Sequence, residues 1–147
     1  MNEGKTTRNE MKFTIPLQPI TKKNSQRIIT NKKTHRPMII PSKAFKEYEI
    51  GCAWYMPRTE AIEEEINVQA IYYMGTRRIV DLVNLHEALH DIMVKCGVLK
   101  DDNSRIIVST DGSRVKYDKD NPRTEITITF KEKLWKKIIT KVMTLDF

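Results

Sequence analysis

The spacing of apolar and polar residues predicts several strands. Residues 66–75, INVQAIYYMG, alternate apolar with polar positions and are rich in β-branched and aromatic side chains, which indicates a strand with one buried face. Residues 11–16 also alternate and predict a short strand near a sheet edge, because Pro16 cannot donate a ladder hydrogen bond. Residues 105–118 predict two short strands around a turn at Asp111 and Gly112, and residues 121–130 predict a last strand.

A helix is predicted to follow Ser42, which is a suitable N-cap residue. In residues 43–56 apolar side chains recur at three- and four-residue steps, and Pro57 ends the pattern. Core packing is favoured over stacking on nucleic-acid bases for the aromatic side chains of this helix: Phe45, Tyr48, Trp54 and Tyr55.

A second helix is predicted to begin at Asp81 and to end at Gly97, a residue suited to the left-handed position after a helix. Steps of about 100° per residue place its apolar side chains on one broad face towards the core. The border of that face holds four polar residues: Asp81, Asn84, Asp91 and Lys95. The histidines of this helix, His86 and His90, are expected on the polar side.

These elements predict an α/β (α+β) fold, with a small mixed β-sheet packed against two or three helices. A length of 147 residues suits one domain with a substantial core. We expect a flexible N-terminus over residues 1–10, the folded domain over residues 11–130 and a C-terminal amphipathic helix over residues 131–147.

The charge balance favours a polyanionic partner. The net charge of +7 comes from 26 basic and 19 acidic residues. Residues 21–37, TKKNSQRIITNKKTHRP, predict a basic hairpin arm with a turn at Asn31, which either contacts phosphates or forms a solvated charge run. The predicted DNA-binding residues lie in this arm and just before the second helix: Lys22, Lys23, Asn24, Arg27, Lys32, Lys33, Arg36, Arg77 and Arg78.

The cysteines and the apolar segments exclude several other classes of protein. Cys52 and Cys96 lack the spacing of a zinc ribbon or of a disulfide framework, so two reduced thiols are expected. No apolar run approaches the length of a membrane span, and the N-terminus lacks the apolar core of a signal peptide. We therefore expect no membrane association and a cytoplasmic location.

Carboxylates occur at both ends of the second helix. Asp81 lies at its start, and Asp101 and Asp102 follow Gly97 in the turn VLKDDNSR. Neighbouring like charges cost stability unless a cation offsets them, so this cluster is most simply explained as a divalent-ion site. Oxygen ligands favour Mg²⁺ or Mn²⁺ over zinc. Turn formation is the alternative role of the aspartate pair.

Residues 86–90, HEALH, match the HExxH motif, in which two histidines bind zinc and the glutamate acts as general base. The one further histidine is His35, and no third ligand follows at a recognisable spacing. A chance match is therefore favoured over a zinc hydrolase.

The stretch RRIVDLVNLHEALHDIMVKCGVLKDDNSRI, residues 77–106, resembles the core motif of the RusA family of Holliday-junction resolvases. That motif is Asp-Leu-Asp-Asn-Leu, a helix, a glycine and then Asp-Asp. IPLQPITKKNSQR and PRTEITI are similar to the family's opening segment and last strand, so the resemblance covers most of residues 12–130. It implies a small homodimeric enzyme of DNA recombination and repair, common in prophages, that cuts four-way junctions symmetrically with Mg²⁺ held by aspartates.

The resemblance assigns roles by position. Asp81, Asn84, Asp101 and Asp102 match motif residues, and Asp91 matches an acidic position of the family's helix. Val83 stands where the second motif aspartate is expected, and Glu87 where the family has a catalytic lysine. The helix border makes Asp91 the preferred replacement ligand and Lys95 a candidate for the displaced positive charge. The expected catalytic residues are Asp81, Asp91, Asp101, Asp102 and Lys95, and the four aspartates are the expected metal ligands.

The two departures leave three functions open. The first is metal-assisted phosphodiester hydrolysis of a four-way junction. The second is a branched-DNA-binding protein whose catalytic site has decayed, and the third is a nuclease that acts on flaps or other branched DNA.

Overall fold

A computed structural model of the chain describes residues 9–22, 26–131 and 139–141. The elements named below are, in chain order, β1 (Glu10–Ile15), β2 (Gln26–Thr30), β3 (Pro37–Pro41), α1 (Lys43–Ala53), β4 (Ile66–Met74), α2 (Leu82–Lys95), β5 (Ile107–Ser109), β6 (Arg114–Tyr117) and β7 (Arg123–Phe130). They form one α+β domain, as the hydrophobic pattern predicted.

The main sheet has five strands and mixed directions. Its order is β1-β7-β4, and β5 and β6 follow one another along the remaining edge of β4. β7 is antiparallel to both of its neighbours, whereas β5 and β6 run parallel to β4. The parallel pairing requires a crossover, which α2 provides. Among the described strands, β1 pairs with β7 alone, which confirms the predicted edge position.

The core lies on one face of this sheet. Every second residue of β4 and β7 is buried, because successive side chains of a strand point to opposite faces. The buried side chains of the two helices join the same cluster: Phe45, Tyr48 and Cys52 from α1, and Leu85, Ala88, Leu89, Ile92 and Met93 from α2. Burial of this apolar surface is the main stabilising contribution to the fold. Both cysteines are free thiols, as expected.

The α1 helix begins as predicted and ends earlier. The Ser42 hydroxyl accepts a hydrogen bond from the Phe45 amide at 3.1 Å, which confirms the N-cap. The helix ends at Ala53, so the following aromatic residues leave the core face. Trp54 is 82% exposed and Tyr55 is 44% exposed, and the prediction that these two side chains pack in the core is wrong.

Strands β2 and β3 form a separate antiparallel sheet, which we call the basic arm, residues 26–41. It is the hairpin expected around Asn31. The predicted C-terminal helix lies mostly outside the described residues, although residues 139–141 are helical, and residues 1–8 of the predicted flexible terminus are also outside them. Across the described ranges, no helix is both long enough and apolar enough to cross a membrane.

Candidate active site and nucleic-acid interface

The acidic turn, which contains Asp101 and Asp102, follows α2, and the conformation at the end of that helix determines where the turn lies. Gly97 has φ +78°, and the Val98 amide donates to the Met93 carbonyl at 2.9 Å. The chain then pairs with Ile62, whose amide donates to the Val98 carbonyl and whose carbonyl accepts from Lys100, each at 2.9 Å. These backbone bonds set the position from which the next residues project.

Asp101 is held by hydrogen bonds to both of its carboxylate oxygens. Oδ1 accepts from the Asp102 amide at 2.7 Å, and Oδ2 accepts from Asn103 Nδ2 at 3.0 Å. Asp101 therefore has the turn-forming role that the sequence left as an alternative. The same bonds orient its carboxylate, which is compatible with a role as ligand or as water-orienting group.

Asp102 lies within electrostatic reach of two other carboxylates. Partial desolvation raises its pKa above the ordinary value, the hydrogen bond with Asp101 raises it further, and the charges of Asp91 and Asp101 add to the effect. The side chain is nevertheless exposed, so it remains accessible to a cation. The structure thus places Asp101 and Asp102 together in one turn, with the charge of Asp91 acting on Asp102, and we call these three residues the acidic cluster.

Lys22 is the cation that contacts Asp91. Its Nζ lies 3.9 Å from Asp91 Oδ2, and both side chains are about one-third exposed. Lys95, the predicted replacement for the family's lysine, instead pairs with Glu49 of α1 at 3.0 Å. Helical periodicity could not reveal the Lys22 contact, because it joins α2 to the segment that follows β1.

Asp81 occupies the N-cap position of α2. Its side chain makes no capping bond and accepts from Asn84 Nδ2 at 3.4 Å, a long contact. Val83 beside it is 73% exposed, and Ile79, two residues before it, is 97% exposed. Asp81 therefore projects from an open surface at the start of the helix.

The described aspartate side chains are suitable ligands for a divalent ion, but their arrangement in the structure does not form a site for one. Carboxylates are hard oxygen ligands. The pKa of Asp102 is raised first by desolvation and by its hydrogen bond with Asp101, and to a smaller extent by the charges of Asp91 and Asp101. Within residues 9–22, 26–131 and 139–141, however, no group of three or more His, Cys, Asp or Glu side chains has an arrangement that could hold a metal ion. The four-aspartate metal site therefore stays a prediction, and side chains would have to reorient to form it.

The histidines of the HExxH match face inwards, and the expectation that they lie on the polar side is wrong. His86 Nδ1 shares a hydrogen bond of 2.8 Å with the hydroxyl of the buried Tyr72, and the rings of His86 and His90 stack at 5.4 Å. Desolvation lowers the pKa of both, that of His90 to about 4, so both rings are neutral at pH 7. Glu87 points to solvent. The pair acts as part of the packing between α2 and β4.

The basic arm carries its described cations at its tip. Lys32, Lys33 and Arg36 are exposed. Asn31 orders the turn, because its Oδ1 accepts from the amides of Lys33 at 2.8 Å and Thr34 at 3.2 Å. Two predicted DNA-binding residues, Lys23 and Asn24, lie outside the described residues, and only the backbone of Arg27 is described.

Arg77 and Arg78 are exposed on the loop between β4 and α2. The Arg77 guanidinium lies 4.1 Å from the centre of the Tyr117 ring, a cation–π contact that ties this loop to β6. Arg77 precedes Asp81 by four residues, so cations that can bind phosphates lie close in the chain to the first motif aspartate.

Comparison with known families gives a match over most of the chain. The model of a family described as Endodeoxyribonuclease RusA matches residues 16–129, which span the basic arm, both helices and the acidic turn. No curated protein matches the chain.

Proposed function

The chain belongs to the RusA family of endodeoxyribonucleases, and on that premise we propose that it resolves four-way DNA junctions by symmetric, Mg²⁺-dependent hydrolysis of phosphodiester bonds in recombination and repair. The observation that carries the proposal is the extent of the match, which includes the basic arm and the acidic cluster in one domain. The family is one of nucleases that act on branched DNA and generally depend on a divalent metal.

Asp81, Asp91, Asp101 and Asp102 are the proposed ligands for the ion. Their oxygens suit Mg²⁺, with Mn²⁺ as a substitute, better than zinc. A bound divalent ion supplies a more acidic water and offsets negative charge at the phosphate. The protein contributes in two ways. Hydrogen bonds orient the Asp101 carboxylate, and Lys22 lies as a cation beside Asp91.

The cationic residues of the arm and of the loop before α2 are the proposed phosphate contacts. Exposed Lys and Arg side chains release counterions when they bind DNA, and they contribute affinity without choosing a sequence. Arg77 is held in place by the Tyr117 ring, and Lys32, Lys33 and Arg36 are held at the ordered tip of the arm.

The main test compares hydrolysis of a synthetic four-way junction in Mg²⁺, in Mn²⁺ and in EDTA. We expect paired cuts in strands of like polarity with either metal and none in EDTA. Asp102→Asn is expected to abolish cleavage and to retain binding. Asp111→Asn is the matched control, since Asp111 lies in the exposed turn between β5 and β6 and its hydrogen bonds with Asn67 are made by its backbone. Equal cleavage by both variants would contradict the proposed site.

Symmetric cleavage requires two active sites, so we propose a homodimer. Light scattering is expected to give twice the chain mass. In dimers that combine one wild-type subunit with one Asp102→Asn subunit, junctions should be nicked in one strand rather than resolved. Full resolution by such mixed dimers would contradict the proposal.

A second candidate function is binding of junctions without cleavage. Val83 and Glu87 replace motif residues, both are exposed, and the described carboxylates do not form a three-ligand group. Tight binding with no hydrolysis in either metal would favour this candidate. Faster hydrolysis of flaps than of junctions would instead favour a nuclease of broader branched-DNA specificity.

A further inference from the structure

The basic arm exposes aliphatic side chains on both faces. Ile28 lies opposite Ile39 and Ile29 lies opposite Met38 in the β2–β3 register. The first pair is 73% and 66% exposed, and the second pair is 39% and 38% exposed. A two-stranded hairpin is marginally stable by itself, and exposed aliphatic side chains on it are unfavourable in water. The arm therefore has the character of a surface that a ligand covers.

The charges around this aliphatic surface indicate which ligand fits it. Three cations, Lys32, Lys33 and Arg36, lie at the tip, beyond the ends of the two strands. The tip is ordered by Asn31, whose amide donates to the Arg36 carbonyl at 2.9 Å and whose carbonyl accepts from His35 at 2.8 Å. A cationic tip next to a pair of exposed aliphatic side chains is complementary to DNA, which has phosphates outside and apolar base faces inside.

The chain connection limits how far the arm can lie from the contact between Lys22 and Asp91. Lys22 contacts Asp91, and Ile28 follows Lys22 by six residues. An extended chain spans at most about 3.5 Å per residue, so the Cα atoms of Lys22 and Ile28 are separated by no more than about 20 Å. Ile28 thus lies within about 20 Å of Lys22, so one DNA junction can contact both the arm and the acidic cluster.

We propose that Ile28 and Ile39 form a wedge that inserts between bases at the branch point of a DNA junction, while the tip cations hold the flanking phosphates. Inserted aliphatic side chains unstack base steps, and the branch point is where stacking is already interrupted. The inference rests on the proposed function for the identity of the ligand. It adds a mode of recognition that phosphate contacts by themselves do not supply, since phosphates are the same in duplex and junction.

The test uses a four-way junction with 2-aminopurine at a branch-point base, whose fluorescence rises when the base is unstacked. Binding is measured without Mg²⁺ so that the DNA stays intact. Wild-type protein is expected to raise the fluorescence at the branch point and not at the same base placed within an arm of the junction. Ile28→Ser with Ile39→Ser should lose the rise, whereas Ile28→Leu with Ile39→Leu should keep it.

Ile50→Ser is the matched control, because Ile50 is 67% exposed on α1 and should keep the rise. Thermal melting of every variant tests whether the main domain is intact.

If wild-type protein binds the junction without a rise, or if the double serine variant keeps the rise, the wedge is overturned and the proposed function stands. If wild-type protein shows no preference for the junction over duplex, the proposed function itself fails. Conversion of a dimer to a monomer by the serine substitutions, with the rise retained, would assign the surface to a second copy of the chain and overturn the wedge.

Discussion

At the scale of single residues, Val83 is the most informative departure from the family motif. It lies in the first turn of α2, two residues after Asp81, and it is 73% exposed. An exposed site there accepts an acidic side chain, and negative charge near a helix N-terminus interacts favourably with the helix dipole. No packing requirement of the described residues therefore demands valine at this position.

We predict that Val83→Asp increases metal-dependent cleavage of the junction. One added carboxylate should lower the Mg²⁺ concentration needed for half-maximal cleavage by about tenfold, which corresponds to ~1.4 kcal/mol. The free energy of unfolding should change by no more than about 0.5 kcal/mol, as for other surface substitutions. A Mg²⁺ titration of the cleavage rate and a urea melt measure the two effects. Val83→Asn separates charge from shape, and identical titrations for Val, Asn and Asp at this position would show that it lies outside the metal site.

The buried histidine pair predicts loss of stability in acid. The pKa of His90 is lowered to about 4 by desolvation and by His86, whereas an unfolded histidine titrates near its ordinary value of 6.5. Above pH 6.5 both states are neutral and the pair has no effect on stability. Between pH 6.5 and 4 the unfolded state binds the proton first, so the free energy of unfolding decreases as the pH is lowered. The decrease is about 2 kcal/mol after allowance for partial exposure of the ring.

The acid loss is measured by urea unfolding of metal-free protein at pH 7 and pH 4.5. His90→Leu keeps an apolar side chain against His86 and removes the titrating group, so its stability should fall less between the two pH values than that of the wild type. An equal fall in both proteins would mean that other groups cause the acid sensitivity.

At the scale of elements, the C-terminal end of α2 controls the acidic turn. Gly97 has φ +78°, and a Cβ added there would meet no atom within 4 Å. The cost of a side chain at this position is therefore conformational rather than steric with neighbours. The turn that begins at Gly97 leads through the Ile62 pairing to Asp101, so a side chain that disturbs the backbone at position 97 would also affect the position of the acidic turn.

Gly97→Ala is predicted to lower the free energy of unfolding by about 1 kcal/mol, because alanine disfavours a positive φ. Gly97→Asn should cost less, since asparagine tolerates the left-handed region. Urea unfolding of the two variants measures the difference. If alanine and asparagine were equally tolerated, the left-handed conformation would not be the reason for glycine at this position.

Helix α2 also shows how far periodicity extends. Its apolar positions and its end before Gly97 follow from the spacing of leucine, isoleucine and glycine. Leucine and isoleucine prefer burial, and glycine is preferred at the left-handed position after a helix. The orientation of His86 and His90 does not follow, since histidine counts as polar in a helical projection. Its burial here depends on a hydrogen-bond partner, Tyr72, that another element supplies.

At the scale of the whole molecule, the chain has a net charge of +7, and its cations lie in separate parts of the fold. Cations lie at the tip of the basic arm, on the loop before α2 and beside Asp91. The acidic cluster is thus accompanied by positive charge along the proposed path of the DNA. Such a distribution predicts binding that weakens steeply with salt.

We predict that Arg77→Gln with Arg78→Gln reduces the slope of log affinity against log salt concentration by about 2, roughly one for each lost phosphate contact. Affinity should fall similarly for junctions of different sequence, because phosphate contacts carry no sequence information. Lys43→Gln with Lys46→Gln, on the exposed side of α1, is the control with the same change in net charge. Equal slopes for the two double variants would mean that net charge rather than the loop determines binding.

The sequence by itself determined the α+β class, the buried strand β4, the basic hairpin, the capped helix α1 and the glycine that ends α2. These features depend on contacts within a few residues of the chain, which periodicity, capping and turn chemistry report directly. The tertiary structure decided which side chains meet: Lys22 rather than Lys95 beside Asp91, Glu49 as the partner of Lys95, and His86 against Tyr72. It also decided that Trp54 and Tyr55 are exposed. Each of these outcomes depends on how separate elements pack against one another, and no local pattern of residues encodes that geometry.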